Sequence, residues 1–222
     1  MSTEFLDPII LSIRIAIIAS VIVMIIGTLI GKIMANIKWK GKIFLEILFI
    51  LPLVLPPSVV GFFLIVIFGA NSPIGQVIQS IFGSPIIFTW WAGVMAAVVV
   101  AFPLMYQVTK AGFEMIDKSI EDAARVDGAN EWAVFYRISL PLSFQSIVTG
   151  FILSFTRALG EFGATLMFAG NIPGKTQTVS TAIYVAIDSG NMELAWDWVI
   201  SIILISTSLL FIAQFIKNKA VT

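Results

Sequence analysis

Arg157 and Glu161 stand four residues apart in SFTRALGEFGA, inside a stretch otherwise long and apolar enough to cross a bilayer. A charge at that depth costs about 2.5–3.5 kcal/mol even on insertion-based scales, so each needs a partner, and one helical turn brings the two within reach. Acid–base catalysis would need more than this pair. Glu161 has no second carboxylate beside it, and neither histidine nor cysteine occurs in the 222 residues. That excludes imidazole bases, thiol nucleophiles, disulfides and the commonest zinc ligands. No paired acids or Ser–Lys dyad suited to an intramembrane enzyme is evident, and no metal site is expected.

A second candidate is AGNIPGKT at 169–176, which satisfies a relaxed nucleotide-binding pattern with Ala169 in the first glycine position. A phosphate-cradling loop follows a buried strand, wraps phosphates with flexible backbone and opens a helix at its Lys-Thr. Here an apolar span precedes it and Pro173 stiffens the turn. The chain is therefore expected to hold no nucleotide or other cofactor of its own.

The third candidate is KSIEDAARVDGANEWAVFYRISLP, Lys118 to Pro141, the long charged segment of a chain that is 59% hydrophobic and 12% charged. Its types and spacing describe a short amphipathic helix with a stop. Ser119 is placed to cap it, Asp122 lies in the first turn where the helix dipole favours a carboxylate, and Gly128 can adopt the left-handed closing conformation. Ala123 and Ala124 leave one face flat enough for another protein's groove. A second helical stretch, Asn130 to Arg137, leads to Pro141, whose fixed φ suits the start of a following helix.

The elements that must hold these residues are set by hydropathy. A mean hydropathy of +1.01 places the chain in the integral membrane class. Five spans are expected, at about 9–35, 43–68, 89–108, 142–168 and 196–216, forming a single all-α transmembrane domain over 1–222. The first follows Glu4 and Asp7 rather than basic residues, so it reads as an uncleaved helix and not a secretory signal. Gly27 and Gly31 within it would admit a close neighbour, although the helix reads as a peripheral brace. The second contains LPLVLPP, where Pro52, Pro56 and Pro57 must kink or break it. In a bilayer the freed carbonyls need neighbouring helices or water, so Pro56 and Pro57 mark either a structural kink or the edge of a pathway. The third opens on Trp90-Trp91 and is rich in small residues suited to helix packing. Between the fourth and fifth, Thr178 to Asp188 reads as a helix too short to span, re-entrant or interfacial.

Basic residues set the expected orientation. Lys32, Lys38, Lys40, Lys42, Lys110, Lys118, Arg125, Arg137, Lys217 and Lys219 fall on one side of a five-span arrangement, and Lys175 is alone in the opposite loops. The positive-inside rule makes that side cytoplasmic, with the N-terminus outside, the C-terminus inside and the loop at 110–141 inside.

EDAARVDGANEWAVFYRISLP resembles the EAA loop of ATP-binding-cassette (ABC) importer permeases: an acid, two alanines, a glycine, nine residues, then I-x-L-P. Those positions are Glu121, Ala123, Ala124, Gly128, Ile138, Leu140 and Pro141. Either Glu121 or Asp122 corresponds to the acid. Within that family, LPLVLPPSVVGFFL (51–64), LGEFGATLMFAGNIPGKTQT (159–178) and GFEMIDKSIEDAARVDGA are similar to the molybdate permease group, with sulfate and tungstate permeases alike in the same regions. The resemblance implies a type I importer fold with a cytoplasmic coupling helix, a homodimer in the prokaryotic cell membrane, and an external oxyanion-binding protein. It also implies two cytoplasmic ATPase subunits that bind ATP and Mg and dock on Glu121, Asp122, Ala123, Ala124, Gly128 and Pro141. No nucleic acid is implied.

In that setting Arg157 and Glu161 have two readings: a structural pair, or a pathway lining in which Arg157 offsets part of a dianion's charge. Pro56, Pro57, Thr156 and Gly163 complete the candidate pathway. Transport needs weak, releasable binding, so high affinity is expected in the external protein. An ion-gradient transporter would show an inverted repeat with matched broken helices, and no second LPLVLPP-like break is present.

Overall fold

The computed structural model describes residues 3–219, and the regular elements among them are all helical. The first, α1 (Thr3–Asn36), lies along α5 (Trp90–Glu114), and both pack on α9 (Phe144–Leu159). The core between them is built from small side chains: Ala16, Ala19, Val23, Ala97, Ala101 and Met105 are fully buried. Contact at this range needs glycine at α1. A Cβ on Gly27 would lie 2.7 Å from Met105 Cγ, and one on Gly31 2.5 Å from Thr109 Oγ1. Polar contacts also cross between the helices: Ser154 Oγ donates to Ala101 O at 3.3 Å, and Thr109 Oγ1 shares its proton between Met105 O of its own helix at 2.7 Å and Gly27 O at 3.1 Å. The first helix is therefore central, and the expectation of a peripheral brace is corrected by the small-residue faces that α1 and α5 share.

Prolines divide the second span. It becomes α2 (Lys42–Val54) and α3 (Pro57–Phe68), bent by 114°. Leu55 is extended, at φ −69 and ψ 144, as a residue before proline must be, and Pro57 takes the first turn of α3, where its missing N–H costs nothing. The first half, α2, is tied to α5 by Lys110 Nζ on Glu46 at 2.6 Å and by Lys42 between Glu46 and Glu114, each at 3.7 Å. Phe49 packs edge-on against Phe102 and Tyr106. Beyond α3, Ser72 caps α4 (Pro73–Phe82), accepting from Gly75 N at 2.9 Å, and Gly83 closes it at φ 73.

The fourth span is also interrupted. α9 ends at Leu159, and the chain resumes as α10 (Gly163–Phe168) after three non-helical residues, correcting the expected continuous helix at 142–168. Outside this break, α11 (Val179–Asp188) carries a reciprocal Thr178–Thr181 cap, and its first amide donates to Ser12 Oγ of α1 at 2.8 Å. It packs on α12 (Met192–Lys219), whose Trp198 indole donates to Phe5 O at 3.0 Å. The side chains of Lys217 and Lys219 lie outside the described residues. Arg14 is exposed and lies 4.1 Å above the Trp90 ring.

Glu4–Asn36, Trp90–Glu114 and Met192–Ile212 are each long and apolar enough to cross a membrane; two bent pairs, α2 with α3 and Glu131–Leu142 with α9, bring the number to five if each pair is one span.

Candidate coupling surface and pathway residues

The charged loop folds as two short helices joined by a glycine. Asp117, not Ser119, caps α6 (Lys118–Val126), its carboxylate accepting from Ser119 N at 2.9 Å. That backbone hydrogen bond holds the Asp117 carboxyl below its ordinary range. Gly128 takes φ +90, the Gly128 amide donates to Arg125 O at 3.0 Å, and Ala129 N donates to Ala124 O at 2.9 Å. A Cβ there would meet nothing within 4 Å, so glycine is required by conformation alone. Asn130 then caps α7 (Glu131–Val134) through Ala133 N at 2.8 Å. A π-helical turn, Phe135–Ser139, and α8 (Leu140–Leu142) carry the chain to Ser143, where it bends by 70° into α9. Pro141 therefore lies in α8, before the bend, and the straight helix α9 begins at Phe144.

Arg125 joins the two halves of the loop. Its guanidinium donates to Asp122 Oδ1 at 2.7 Å and to Glu131 through Nε at 2.7 Å and through Nη2 at 3.2 Å. The hydrogen bond from Arg125 holds the Glu131 carboxyl below its ordinary value, and the guanidinium is held charged in return.

Within α6 the two acids take opposite directions. Asp122 is exposed, as are Ala123 and Gly128, while Ala124 is half-buried and Pro141 exposed. Glu121 is 5% exposed and faces the membrane body. Its Oε1 receives Lys32 Nζ, from the C-terminal end of α1, and Ser139 Oγ at 2.6 Å, and Lys32 also donates to Ser139 at 2.9 Å. Burial pushes this carboxyl upward, but the hydrogen bonds from Lys32 and Ser139 and the positive charge of Lys32 and Arg125 together prevail, and its pKa lies below 4.5. Outward, Met115, Val126 and Trp132 are strongly exposed, with Trp132 stacked on Tyr136 at 6.0 Å.

Sequence reasoning missed Lys32 and Ser139. Lys32 resembled an interfacial lysine, and a partner 89 residues away leaves no local signal. The one clue was the acid itself: a carboxylate beside two alanines on the apolar side of a helix needs a cation.

At the helix breaks, Arg157 Nη1 lies 2.6 Å from Glu161 Oε2, and Glu161 Oε1 accepts from Ala164 N at 2.8 Å. Glu161 thus pairs with α9 and caps α10. That second role was not foreseen. Gly163 packs on Pro57, where an added Cβ would lie 2.9 Å from the proline's own, and Gly61 packs on Ala164 and Met167. The two breaks therefore meet. Thr156 stands elsewhere: its hydroxyl donates to Ile152 O and Leu153 O, and it lines an apolar cleft of about 520 Å³ between α1, α9 and α12 with Ile17, Phe151 and Leu209.

The nucleotide-like stretch closes on itself. The amides of Lys175, Thr176 and Gln177 all donate to Ile172 O at 2.9–3.1 Å, and Ile172 N donates to the buried Thr176 hydroxyl. None of these amides is turned outward to receive a phosphate.

The helical body has two broken spans, the second at 160–162 and without the prolines of LPLVLPP, and with its capped, internally braced loop it has the form of a transporter's membrane subunit. The fold is that of ABC importer permeases: it superposes on a chain of a bacterial ABC transporter involved in import of the acidic polysaccharide alginate, with TM-score 0.80 over 99% of this chain and 80% of that one, at 15% identity. Residues 24–221 match the family described as binding-protein-dependent transport system inner membrane component, and the chain belongs to that family. It is a multi-pass inner-membrane protein. It is 60% identical to a putative molybdenum transport system permease protein of Bacillus subtilis (strain 168), covering 96% of this chain and 94% of the relative. Identity to the molybdenum transport system permease protein ModB of Escherichia coli (strain K12) is 39%, over 96% of both chains.

Proposed function

We propose that this chain is the permease of a molybdate importer, acting as a homodimer on which two cytoplasmic ATPase subunits dock and to which an external oxyanion-binding protein delivers its anion. Residues 1–222 form the one permease domain, with five spans, the N-terminus outside and the loop at 110–141 inside. The observation that carries this is the loop's construction: α6 and α7 are capped at both starts, closed by Gly128 and cross-linked by Arg125, yet they present exposed Val126 and Trp132 away from the membrane body. A docked partner would cover these side chains on a frame already held in shape. Identity of 60% along nearly the whole chain supports molybdate as the ion.

ATP and Mg belong to the docked subunits. On closing, those subunits carry the loops inward, and the helices move with them. The meeting of the breaks at Pro57 and Gly163, bordered by Arg157 and Glu161, is the pathway segment we assign. With Glu161 holding it at 2.6 Å, the guanidinium attracts a dianion without trapping it. The test is uptake competition in cells lacking the chain. Restoring it should restore labelled molybdate uptake, competed by tungstate; restored sulfate uptake without molybdate would overturn the ion, and no ATP-dependent uptake of either would overturn the class.

A further inference from the structure

Glu121 lies in the coupling helix and yet turns away from the surface on which an ATPase would sit. Its carboxylate is 5% exposed and is held by Lys32 of α1 and by Ser139 of the π-helical turn leading to α9. Ser139 is itself fully buried, and Lys32 reaches both oxygens of the triad while lying 5.4 Å from the Phe113 ring at the inner end of α5. One carboxylate therefore joins the coupling helix directly to α1, through Lys32, and to the π-helical turn that precedes α9, through Ser139, while Lys32 in turn lies against Phe113 of α5. Arg125, 3.6 Å from the second carboxylate oxygen, links the same acid to the exposed face through Asp122 and Glu131.

We infer that Glu121 is a positioning residue for energy coupling: it is the fixed joint, closed by Lys32 and Ser139, through which displacement of the coupling helix reaches α1, and it makes no contact with the ATPase. Three features require this. An acid used for docking would be exposed, as Asp122 is. A buried carboxylate left without its cation is strongly unfavourable, so α6 and α1 cannot separate cheaply and must move together. And α1 is packed rigidly on α5 by the Gly27 and Gly31 contacts, so motion received at Lys32 is passed to the core rather than absorbed. α1 becomes a driven element rather than a brace.

The inference rests on the proposed docking of ATPases at this loop, and the experiment separates the two. Wild type, Glu121→Gln, Lys32→Met and Ser139→Ala are purified with the ATPase subunits and reconstituted with the binding protein; retention of the ATPase and molybdate imported per ATP hydrolysed are both measured. The joint predicts that every variant retains its ATPase, while import per ATP falls roughly tenfold or more for Glu121→Gln and Lys32→Met, the scale of a coupling free energy, and less for Ser139→Ala. Ser139→Ala deletes one hydroxyl and keeps the ion pair, so it reports even where the charge variants do not assemble. An unchanged ratio in Ser139→Ala and in whichever charge variants assemble would overturn the inference. So would loss of the ATPase from Glu121→Gln but not from Lys32→Met, which would make Glu121 a docking contact. Absence of ATP-driven import in wild type would instead sink the underlying function.

Discussion

At Glu161 one carboxylate serves two elements, pairing with Arg157 at the end of α9 and accepting from the Ala164 amide in the first turn of α10. Removing it strands a partly buried guanidinium and uncaps a helix. Glu161→Ala should cost about 3 kcal/mol or more, whereas Glu161→Gln keeps an acceptor for Ala164 N and should cost less; thermal unfolding in detergent distinguishes them. Glu121 makes a pH prediction. Its folded pKa is depressed, so the stability it lends is complete above the ordinary value of 4.5 and is lost as pH falls through the lower folded value. An acid-induced loss of stability near that window should be present in wild type and smaller in Glu121→Gln, measured as unfolding temperature against pH. The pairing of Arg157 with Glu161 was legible because both lie on one helical turn. The partners of Glu121 were not, because Lys32 and Ser139 come from distant segments and sequence spacing carries no information about them.

Among elements, the coupling loop depends on one backbone conformation. Gly128→Val places a β-branched residue at φ +90, costing roughly 1–2 kcal/mol locally, and should weaken co-purification of the ATPase without a steric clash to blame. The contact of α3 with α10 depends on space instead. Gly61→Leu would drive a Cβ to 2.6 Å from Met167, and overpacking of this kind costs about 1–3 kcal/mol, so it should lower both unfolding temperature and uptake. The proline break in span two could be read from LPLVLPP directly. The break in span four could not: Gly160 and Gly163 are weak signals, and the capture of the Ala164 amide by Glu161, which starts α10 afresh, is a side-chain choice that hydropathy does not register. The same holds for Asp117, which caps α6 two residues earlier than the expected Ser119.

For the molecule as a whole, composition was enough to place the chain in the bilayer, and the loop's residues were enough to place it among importer permeases. What composition could not reveal was which helix sits at the centre. α1 looks lipid-facing by hydropathy, yet its alanine, serine and glycine face is the close-packed partner of α5. On the proposed function, a nucleotide-driven partner works this chain through the loop at 110–141. The direct measurement is accumulation of labelled molybdate in proteoliposomes holding the complete complex and binding protein, with and without ATP, for wild type and Ala124→Glu. ATP-dependent accumulation in wild type, lost together with the bound ATPase in Ala124→Glu, is the predicted result. Accumulation that continues without ATP, or with the ATPase gone, would contradict it.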